Sequence, residues 1–182
     1  MKLATKRLIL RPFTFADVDG VHAYSKKPSV THFMVWGPNT LEETKSFVRL
    51  VIKKAQEKPR YNYDFLVTLK DGTIIGACGI YFTDLSKTPT FGWVYNDTYW
   101  NQGYGTEAAR ALLAFAFNTL KLPKIRVMCI KENVGSKRIM EKIGLRYVGE
   151  NYKEYPKLGK QVELVYELTA LEYKLNNHKT FI

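Results

Sequence analysis

Residues 91–108 of the chain read FGWVYNDTYWNQGYGTEA. The aromatic and β-branched start of this segment, through Tyr95, predicts a strand. Gly103 and Gly105 then allow the backbone to turn sharply and to approach a ligand closely. From Thr106 to Leu120 apolar residues recur on one face, which predicts a long amphipathic helix. Because the first N–H groups of a helix have no partner within it and its dipole attracts an anion, the segment predicts a phosphate-binding strand, loop and helix, with the Thr106 hydroxyl at the helix cap.

Two other glycine-loop devices fit these residues less well. A dinucleotide-binding loop needs glycines in the pattern G-x-G-x-x-G, and Ala108 stands where the third glycine would be. A P-loop needs Gly-Lys followed by Ser or Thr, which the segment lacks. The two glycines alone also fit a turn that joins a strand to a helix without any ligand, so this alternative stays open.

The rest of the chain alternates between strand and helix signals. Thr14 with Asp17, and Thr40 with Glu43, are helix N-terminal signatures, and an Asp-Gly turn at 71–72 predicts a hairpin. Further strands are predicted at residues 8–10, 65–69, 74–82, 125–130, 146–152 and 162–168, a short helix at 136–143, and a polar, flexible tail at 172–182. Strands outnumber helices and several helices connect strands, so a mixed central sheet with helices on both faces is expected.

The composition is that of a single soluble globular domain over residues 1–182. Cys78 and Cys129 lie in apolar runs without metal-ligand spacing, so buried thiols and no metal site are predicted. The start, through Arg11, does not have the pattern of a signal peptide, and no stretch is long enough to span a membrane, so a cytoplasmic location is expected. The net charge of +11 fits an anionic partner, and a polyphosphate cofactor, nucleic acid and a ribosomal surface remain alternatives.

Three blocks of the sequence resemble the GNAT superfamily of N-acetyltransferases. Residues 91–108 closely resemble its acetyl-CoA motif and look most like the RimJ/RimL-like branch of ribosomal-protein N-terminal acetyltransferases. Residues 7–12, RLILRP, resemble the first strand of that branch, and residues 133–136 and 141–145, NVGS and EKIGL, resemble its second signature block. The resemblance covers most of the chain and implies an α+β fold, a three-layer α/β/α sandwich with a central mixed, mostly antiparallel sheet.

The resemblance also implies acetyl-CoA as cosubstrate and a set of residues that bind it. The strand before the loop splays from its neighbour and pairs with the pantetheine arm, the loop amides hold the pyrophosphate, and an asparagine lies near the reactive end. The cofactor-binding residues so implied are Trp93, Val94, Tyr95, Gln102, Gly103, Tyr104, Gly105, Thr106, Asn133, Ser136 and Lys137. For Asn133 and Ser136 a local turn or helix cap is the alternative interpretation, and for Lys137 it is a solvated helix surface.

The implied reaction is direct attack of a neutral primary amine on the acetyl thioester. Ser136 is the implied catalytic residue, as the acid that protonates the departing thiolate. Met140 stands where many members carry a tyrosine acid, so another Tyr or a water molecule remains an alternative to Ser136. Trp100 replaces the Arg or Gln of the broader superfamily in agreement with the RimJ/RimL-like branch, and Leu145 replaces a usual Phe.

The amine site is less sharply defined than the cofactor site. A backbone N–H near Val94 or Tyr95 could polarise the thioester carbonyl. Residues 30–36 are expected to form one wall of the acceptor site, and Tyr152 and Tyr155 another. The candidates for the base that takes the amine proton are Asp84, His32 and Glu43. A covalent route through cysteine is disfavoured, because neither thiol has a base beside it in sequence.

The identity of the acceptor stays open at this point. The resemblance favours a protein N-terminus, and it links the chain to nucleic acid only indirectly, through the ribosome. Polyamines, aminoglycoside-like antibiotics and other small molecules are acetylated on related scaffolds, since a fold does not fix a function. A non-catalytic acyl-CoA-binding module and an RNA-binding or ribosome-binding protein are alternatives from other classes. A homodimer through the sheet edges or the tail is a further alternative.

Overall fold

The computed structural model of the chain describes residues 1–85 and 87–178. An eight-stranded sheet runs through it in the order β1-β2-β3-β4-β5-β6-β8-β7. The strands are β1 (Leu3–Ala4), β2 (Leu8–Arg11), β3 (Asn62–Leu69), β4 (Ile74–Tyr81), β5 (Thr90–Tyr95), β6 (Lys124–Ile130), β7 (Arg146–Tyr155) and β8 (Gly159–Thr169). Neighbouring strands are antiparallel except β5 and β6, which are parallel. The mixed sheet that the strand and helix signals predict, and the mostly antiparallel pairing that the resemblance implies, are therefore confirmed.

Helices cover both faces of this sheet. They are α1 (Val18–Ser25), α2 (Pro28–Thr31), α3 (Leu41–Lys54), α4 (Tyr104–Ala114), α5 (Val134–Lys142) and α6 (Ala170–His178). The first three pack on one face, where Val21, Val48 and Val51 meet Leu66 and Ala77 of the sheet. The others lie on the opposite face, whose core is formed largely by α4 and the strands beneath it. Two apolar cores with a sheet between them make the expected three-layer sandwich.

Alternation along β3 and β4 explains how one sheet serves two cores. Successive side chains of a strand point to opposite faces. The register pair Phe65 and Cys78 therefore belongs to the core under α4, and the next pair, Leu66 and Ala77, belongs to the core under α1 and α3. Both cysteines are buried and free, as the sequence predicts.

The helix starts confirm two sequence signatures and reveal a third. Before α3, the Glu43 N–H donates to the Thr40 hydroxyl oxygen at 3.2 Å and the Thr40 N–H donates to the Glu43 carboxylate at 2.7 Å. Thr169 and Glu172 make the same reciprocal pair at 2.8 Å and 3.2 Å. That pair begins α6, so a helix runs through residue 178 where a flexible tail over 172–182 was predicted. Residues 179–182 lie outside the described part of the chain.

The start and end of α4 also differ from the prediction. The helix begins at Tyr104, with Gly103 as its N-cap residue, so the Thr106 hydroxyl is not at the cap. Its α-helical part ends at Ala114 and continues as a π-helical turn, Phe115–Thr119. Gly103 can start the helix two residues early because its φ of 80° is easily adopted only by glycine.

Residues 1–85 and 87–178 contain neither a membrane-spanning helix nor a cluster of metal ligands. None of their helices combines the length and the apolar character that a membrane crossing requires. Within those same ranges, no group of three or more His, Cys, Asp or Glu side chains is placed to hold a metal ion.

Candidate active site

The parallel strands β5 and β6 open into a V at the centre of the sheet. They pair at Thr90 with Arg126 and at Phe91 with Val127, and the described sheet has no later register pair between them. Residues 92–95 of β5 keep their antiparallel partners in β4. One backbone edge of β5 therefore lacks a strand partner beyond Phe91, which is the splay that the resemblance implies.

The chain reaches α4 through two left-handed residues. After the 3-10 turn Asp97–Tyr99, Asn101 has a φ of 60° and Gly103 a φ of 80°. A Cβ added at Gly105 would lie 2.8 Å from Cδ1 of Ile139 and 3.1 Å from the Tyr95 ring, so glycine lets α4 approach α5 and β5 closely. The N–H groups of the first helical turn have no partner within the helix. Residues 103–106 line a cavity of about 810 Å³, hereafter the larger cavity.

The β1–β2 turn holds this loop from outside. The Glu107 carboxylate accepts hydrogen bonds from the Thr5 hydroxyl at 2.6 Å, the Arg7 N–H at 2.8 Å and Arg7 Nε at 2.6 Å. Burial raises the pKa of Glu107, but these hydrogen bonds outweigh it and the pKa is lowered. Arg7 also donates to the Gln102 carbonyl at 3.0 Å and lies over the Tyr104 ring at 4.3 Å. Contacts between the sequence blocks 7–12 and 91–108 therefore stabilise this loop conformation.

Most of the predicted cofactor residues line the larger cavity, but two do not. The Gln102 side chain is turned back to donate to the Thr98 carbonyl at 3.0 Å. Lys137 lies near Glu141, with 4.0 Å between Nζ and the carboxylate, and is absent from the lining of the larger cavity. The cations that line it are Arg138 and Lys142. The sequence could have indicated them, since residues four apart on a helix share a face.

Asn133, Ser136 and Trp93 meet where α5 begins. The Asn133 side chain caps α5 by accepting from the Ser136 N–H at 3.0 Å. Ser136 is therefore not the N-cap residue, and the alternative interpretation that made it one is wrong. Its hydroxyl oxygen accepts from Trp93 Nε1 at 3.2 Å. Burial raises the pKa of the nearby Cys129 thiol to about 11, although a hydrogen bond with Ser136 lowers it, so this thiol stays protonated near neutral pH.

A second cavity of about 520 Å³, called here the smaller cavity, adjoins the larger one. The two share the lining residues Phe33, Met34, Trp93, Val94, Asn133 and Ser136. The smaller cavity extends from this shared wall towards α1 and β3, on the face covered by the first three helices. The shared wall lies at the opening between β5 and β6.

Lys157, in the β7–β8 turn, holds residues 31–36, the segment that covers the smaller cavity and is called its roof below. Its Nζ donates to the carbonyls of Thr31 at 2.7 Å, Met34 at 3.1 Å and Trp36 at 2.8 Å. Residues 33–36 line the cavity, as predicted for one wall, and Tyr155 lines the opposite side. Tyr152 is 82% exposed and lines neither cavity, so that half of the second predicted wall is wrong.

The three candidate bases are not brought together. His32 lines the larger cavity and packs edge-to-face on Phe33 at 4.5 Å. Glu43 caps α3, and hydrogen bonds from Thr40 lower its pKa. Asp84 follows β4 and lines neither cavity. The carboxylates that line the smaller cavity are Asp64 and Glu163, neither of which was predicted.

Met140 cannot donate a proton, and it is a core residue that does not reach either cavity. Its side chain is fully buried in the core under α4 and lines neither cavity. Among the described residues of the shared wall, Ser136 carries the hydroxyl group.

Comparison with known proteins agrees with this architecture. Residues 7–146 match the family described as "Acetyltransferase (GNAT) domain". The chain is 37% identical over 158 residues to "Uncharacterized N-acetyltransferase YnaD" of Bacillus subtilis (strain 168), covering 86% of this chain and 89% of that protein.

Two solved structures are similar over nearly the whole chain. An acetyltransferase of the GNAT family from Bacillus anthracis is 31% identical, with a TM-score of 0.81 and coverage of 94% of this chain and 99% of that one. A proposed ribosomal-protein-serine acetyltransferase from Vibrio cholerae is 25% identical, with a TM-score of 0.77 and coverage of 93% and 97%.

Proposed function

This chain belongs to the GNAT family of acetyltransferases, and we propose that its two joined cavities divide the reaction, the larger holding acetyl-CoA and the smaller holding the amine. It is an N-acetyltransferase that uses acetyl-CoA, as its family does. The observation that carries the division is the shared wall at the opening between β5 and β6, where a group from each cavity can meet.

The larger cavity offers the donors that this cosubstrate needs. The N–H groups at the start of α4, together with Arg138 and Lys142, suit a pyrophosphate. The edge of β5 without a strand partner suits an extended amide arm, because main-chain pairing does not depend on particular side chains. When bound, acetyl-CoA supplies an acetyl group activated as a thioester.

The shared wall provides the groups for transfer. A backbone N–H near Val94 or Tyr95 polarises the carbonyl, and Asn133 positions the reactive end from the start of α5. Ser136 accepts a hydrogen bond from Trp93 at this wall, and we assign to its hydroxyl the proton that the departing sulfur takes. Holding amine and thioester side by side in this way supplies much of the rate.

A protein N-terminus is the acceptor that we propose first. Its support is the similarity to the Vibrio cholerae protein, whose name gives a ribosomal-protein serine as its substrate. A small-molecule amine is the second candidate, because a cavity of about 520 Å³ bounded by the segment that Lys157 holds can take a whole small molecule.

Release of free thiol from acetyl-CoA tests these acceptors directly. We expect a serine-initiated peptide to be acetylated faster than 2-phenylethylamine, and the same peptide with a blocked N-terminus to give no thiol. Faster turnover of the small amine would favour the second candidate. Acetyl-CoA binding with no thiol release on any amine would contradict the proposed amine site.

A further inference from the structure

The smaller cavity is lined by acidic side chains, although the chain as a whole is positively charged. The chain carries a net charge of +11. Yet the described residues that line this cavity include the carboxylates Asp64 and Glu163 and no Lys, Arg or His. Buried carboxylates are normally paired, because burial without a partner is costly. A cavity lined by two carboxylates and no basic side chain is therefore suited to bind a cation.

Asp64 lies in line across the sheet with two glycines, and their missing side chains leave space beside its carboxylate. It pairs with Gly79 of β4, which pairs in turn with Gly92 of β5. A Cβ at Gly79 would lie 2.6 Å from the Tyr81 hydroxyl oxygen, and one at Gly92 would lie 3.1 Å from Cε2 of that ring. The two glycines thus leave room for the Tyr81 ring, whose hydroxyl hydrogen-bonds the Asp64 carboxylate.

Neither acid of the cavity has a basic partner. In the described ranges Asp64 makes no ion pair within 4.0 Å, and burial raises its pKa despite a hydrogen bond from Tyr81. Glu163 is 8% exposed and accepts a hydrogen bond from the Tyr155 hydroxyl. Asp17, on the same side of the sheet, differs because Arg11 donates to both of its carboxylate oxygens, at 2.9 Å and 2.6 Å.

The other titratable groups near Asp64 are two phenols, a thiol and two cations. Burial raises the pKa of each phenol and of the thiol, so these remain protonated, and the charges of the two cations lower the pKa of Asp64. They are Tyr81 and Cys78 on β4, Tyr24 on α1, Lys54 at the end of α3, and Arg60 before β3. Asp64 is therefore left as a cavity carboxylate whose charge a bound cation would balance.

We propose that the smaller cavity binds the acceptor amine as a primary ammonium ion, and that Asp64 takes the proton this ammonium must lose. Glu163 adds negative charge that holds the cation. Apolar side chains of the lining, among them Val21, Phe47, Phe91 and Val127, can contact the carbon atoms of the acceptor. This inference rests on the proposed function and gives its amine site a charge and a base.

The ammonium first gives one proton to an Asp64 carboxylate oxygen and becomes a neutral amine. The amine nitrogen then bonds the acetyl carbon as the carbon–sulfur bond breaks. The departing sulfur takes the Ser136 hydroxyl proton, and the Ser136 oxygen recovers a proton from the amine nitrogen. Asp64 then returns its proton to water, so one proton is released for each amide formed.

Binding of a cation and of its neutral isostere tests this site without turnover. The probes are 2-phenylethylammonium and 2-phenylethanol, titrated at pH 7.5 with and without CoA. We expect wild type to prefer the ammonium at least about 10-fold, which corresponds to about 1.4 kcal/mol. Asp64→Asn should abolish the preference, Glu163→Gln should reduce it, and Asp19→Asn, an exposed change of the same charge, should preserve it.

Kinetics separate a proton acceptor from a merely structural residue. Asp64→Asn should lower kcat about 100-fold or more at pH 7 while CoA affinity is unchanged. Its rate should then rise with pH towards the pKa of the free amine, since only the neutral amine reacts. Equal binding of both probes to wild type, or an unchanged preference and pH profile in Asp64→Asn, would overturn the proposal. Failure of acetyl-CoA to bind would count instead against the proposed function, because the probe titration without CoA is read independently.

Discussion

At the scale of single residues, Asp64 and Asp17 show how a partner decides the consequence of burying a carboxylate. Asp17 has Arg11, and its hydrogen bonds from Arg11 and Thr14 outweigh burial and lower its pKa. Asp64 accepts a hydrogen bond from a tyrosine hydroxyl and has no ion pair among the described residues, and burial raises its pKa. The first arrangement stabilises the fold, and the second leaves a charge for a ligand to satisfy.

Asp64→Asn should leave the protein at least as stable as wild type at pH 7. A raised pKa means that the folded state binds the proton more tightly than the unfolded chain does, so the free energy of unfolding falls as pH rises above the ordinary value of 3.8. Asparagine removes this cost. We expect a Tm equal to or above that of wild type at pH 7, with the difference shrinking at pH 4, measured by circular dichroism.

Asp17→Asn is the matched control, with the opposite sign. Its lowered pKa contributes stability that is present above the unfolded value of 3.8 and is lost as pH falls through the lower folded value. The substitution should cost roughly 1–3 kcal/mol at pH 7, because it weakens a charged hydrogen-bonded pair. A lower Tm for Asp64→Asn than for Asp17→Asn would contradict this account of the two residues.

The sequence could have identified Asp64 only with the correct strand start. The apolar run predicts β3 from Phe65, which leaves Asp64 outside the sheet. The strand begins at Asn62, so Asp64 shares a face with the fully buried Leu66 two residues later. A carboxylate in line with a core leucine is a detectable signal, but the pattern alone does not say that a cavity lies above it.

At the scale of elements, α5 carries both the predicted phosphate-binding residue, Lys137, and the two cations that line the larger cavity, Arg138 and Lys142. Arg138→Ala and Lys142→Ala should each weaken CoA binding about 3-fold to 10-fold, and this loss should diminish at high salt. Lys137→Ala is the control on the same helix and should bind CoA like wild type. Isothermal titration at low and high salt checks this, and a larger loss for Lys137→Ala than for the other two would restore the original prediction.

Sequence signatures located the elements better than their ends. The capping pairs before α1 and α3 are present as predicted, and Thr169 with Glu172 carries the same signature before α6. That helix was missed because its polar composition was given more weight than its cap. Its Tyr173 stacks on Phe117 with ring centroids 4.8 Å apart, a tertiary contact that no local pattern reveals.

At the scale of the whole molecule, Lys157 couples two distant parts of the chain. The three carbonyls it binds lie on the roof of the smaller cavity. Lys157→Met keeps the apolar stem but removes the donors, so the roof should loosen. We expect KM for the amine to rise about 10-fold with little change in acetyl-CoA affinity, measured by steady-state kinetics and titration.

A control for Lys157 lies in the next strand, three residues away. Lys160→Met removes a charge from an exposed position of β8 and should leave KM unchanged. An equal rise of KM in both variants would mean that the charge of the hairpin, rather than the fastened roof, sets amine affinity.

The resemblance of three sequence blocks was enough to predict the family, the fold layers and the splayed strands. It could not pair Arg7 with Glu107 or Lys157 with residues 31–36, because these contacts depend on how strands far apart in sequence meet in the sheet. The cofactor loop is local and therefore visible in sequence. The smaller cavity is assembled from α1, β3, β6 and β8, which are far apart in the chain, and therefore is not visible in sequence.

Titration of acetyl-CoA into three proteins tests the central claim, that the loop at Gly103 holds the pyrophosphate. Wild type should bind. Gly103→Trp should not bind, because the ring fills the space before the helix start. Gly72→Trp, placed at an open hairpin with a comparable φ of 94°, should bind like wild type. With all three shown to be folded by circular dichroism, no binding to wild type, or equal binding to Gly103→Trp, would contradict the assignment of the loop.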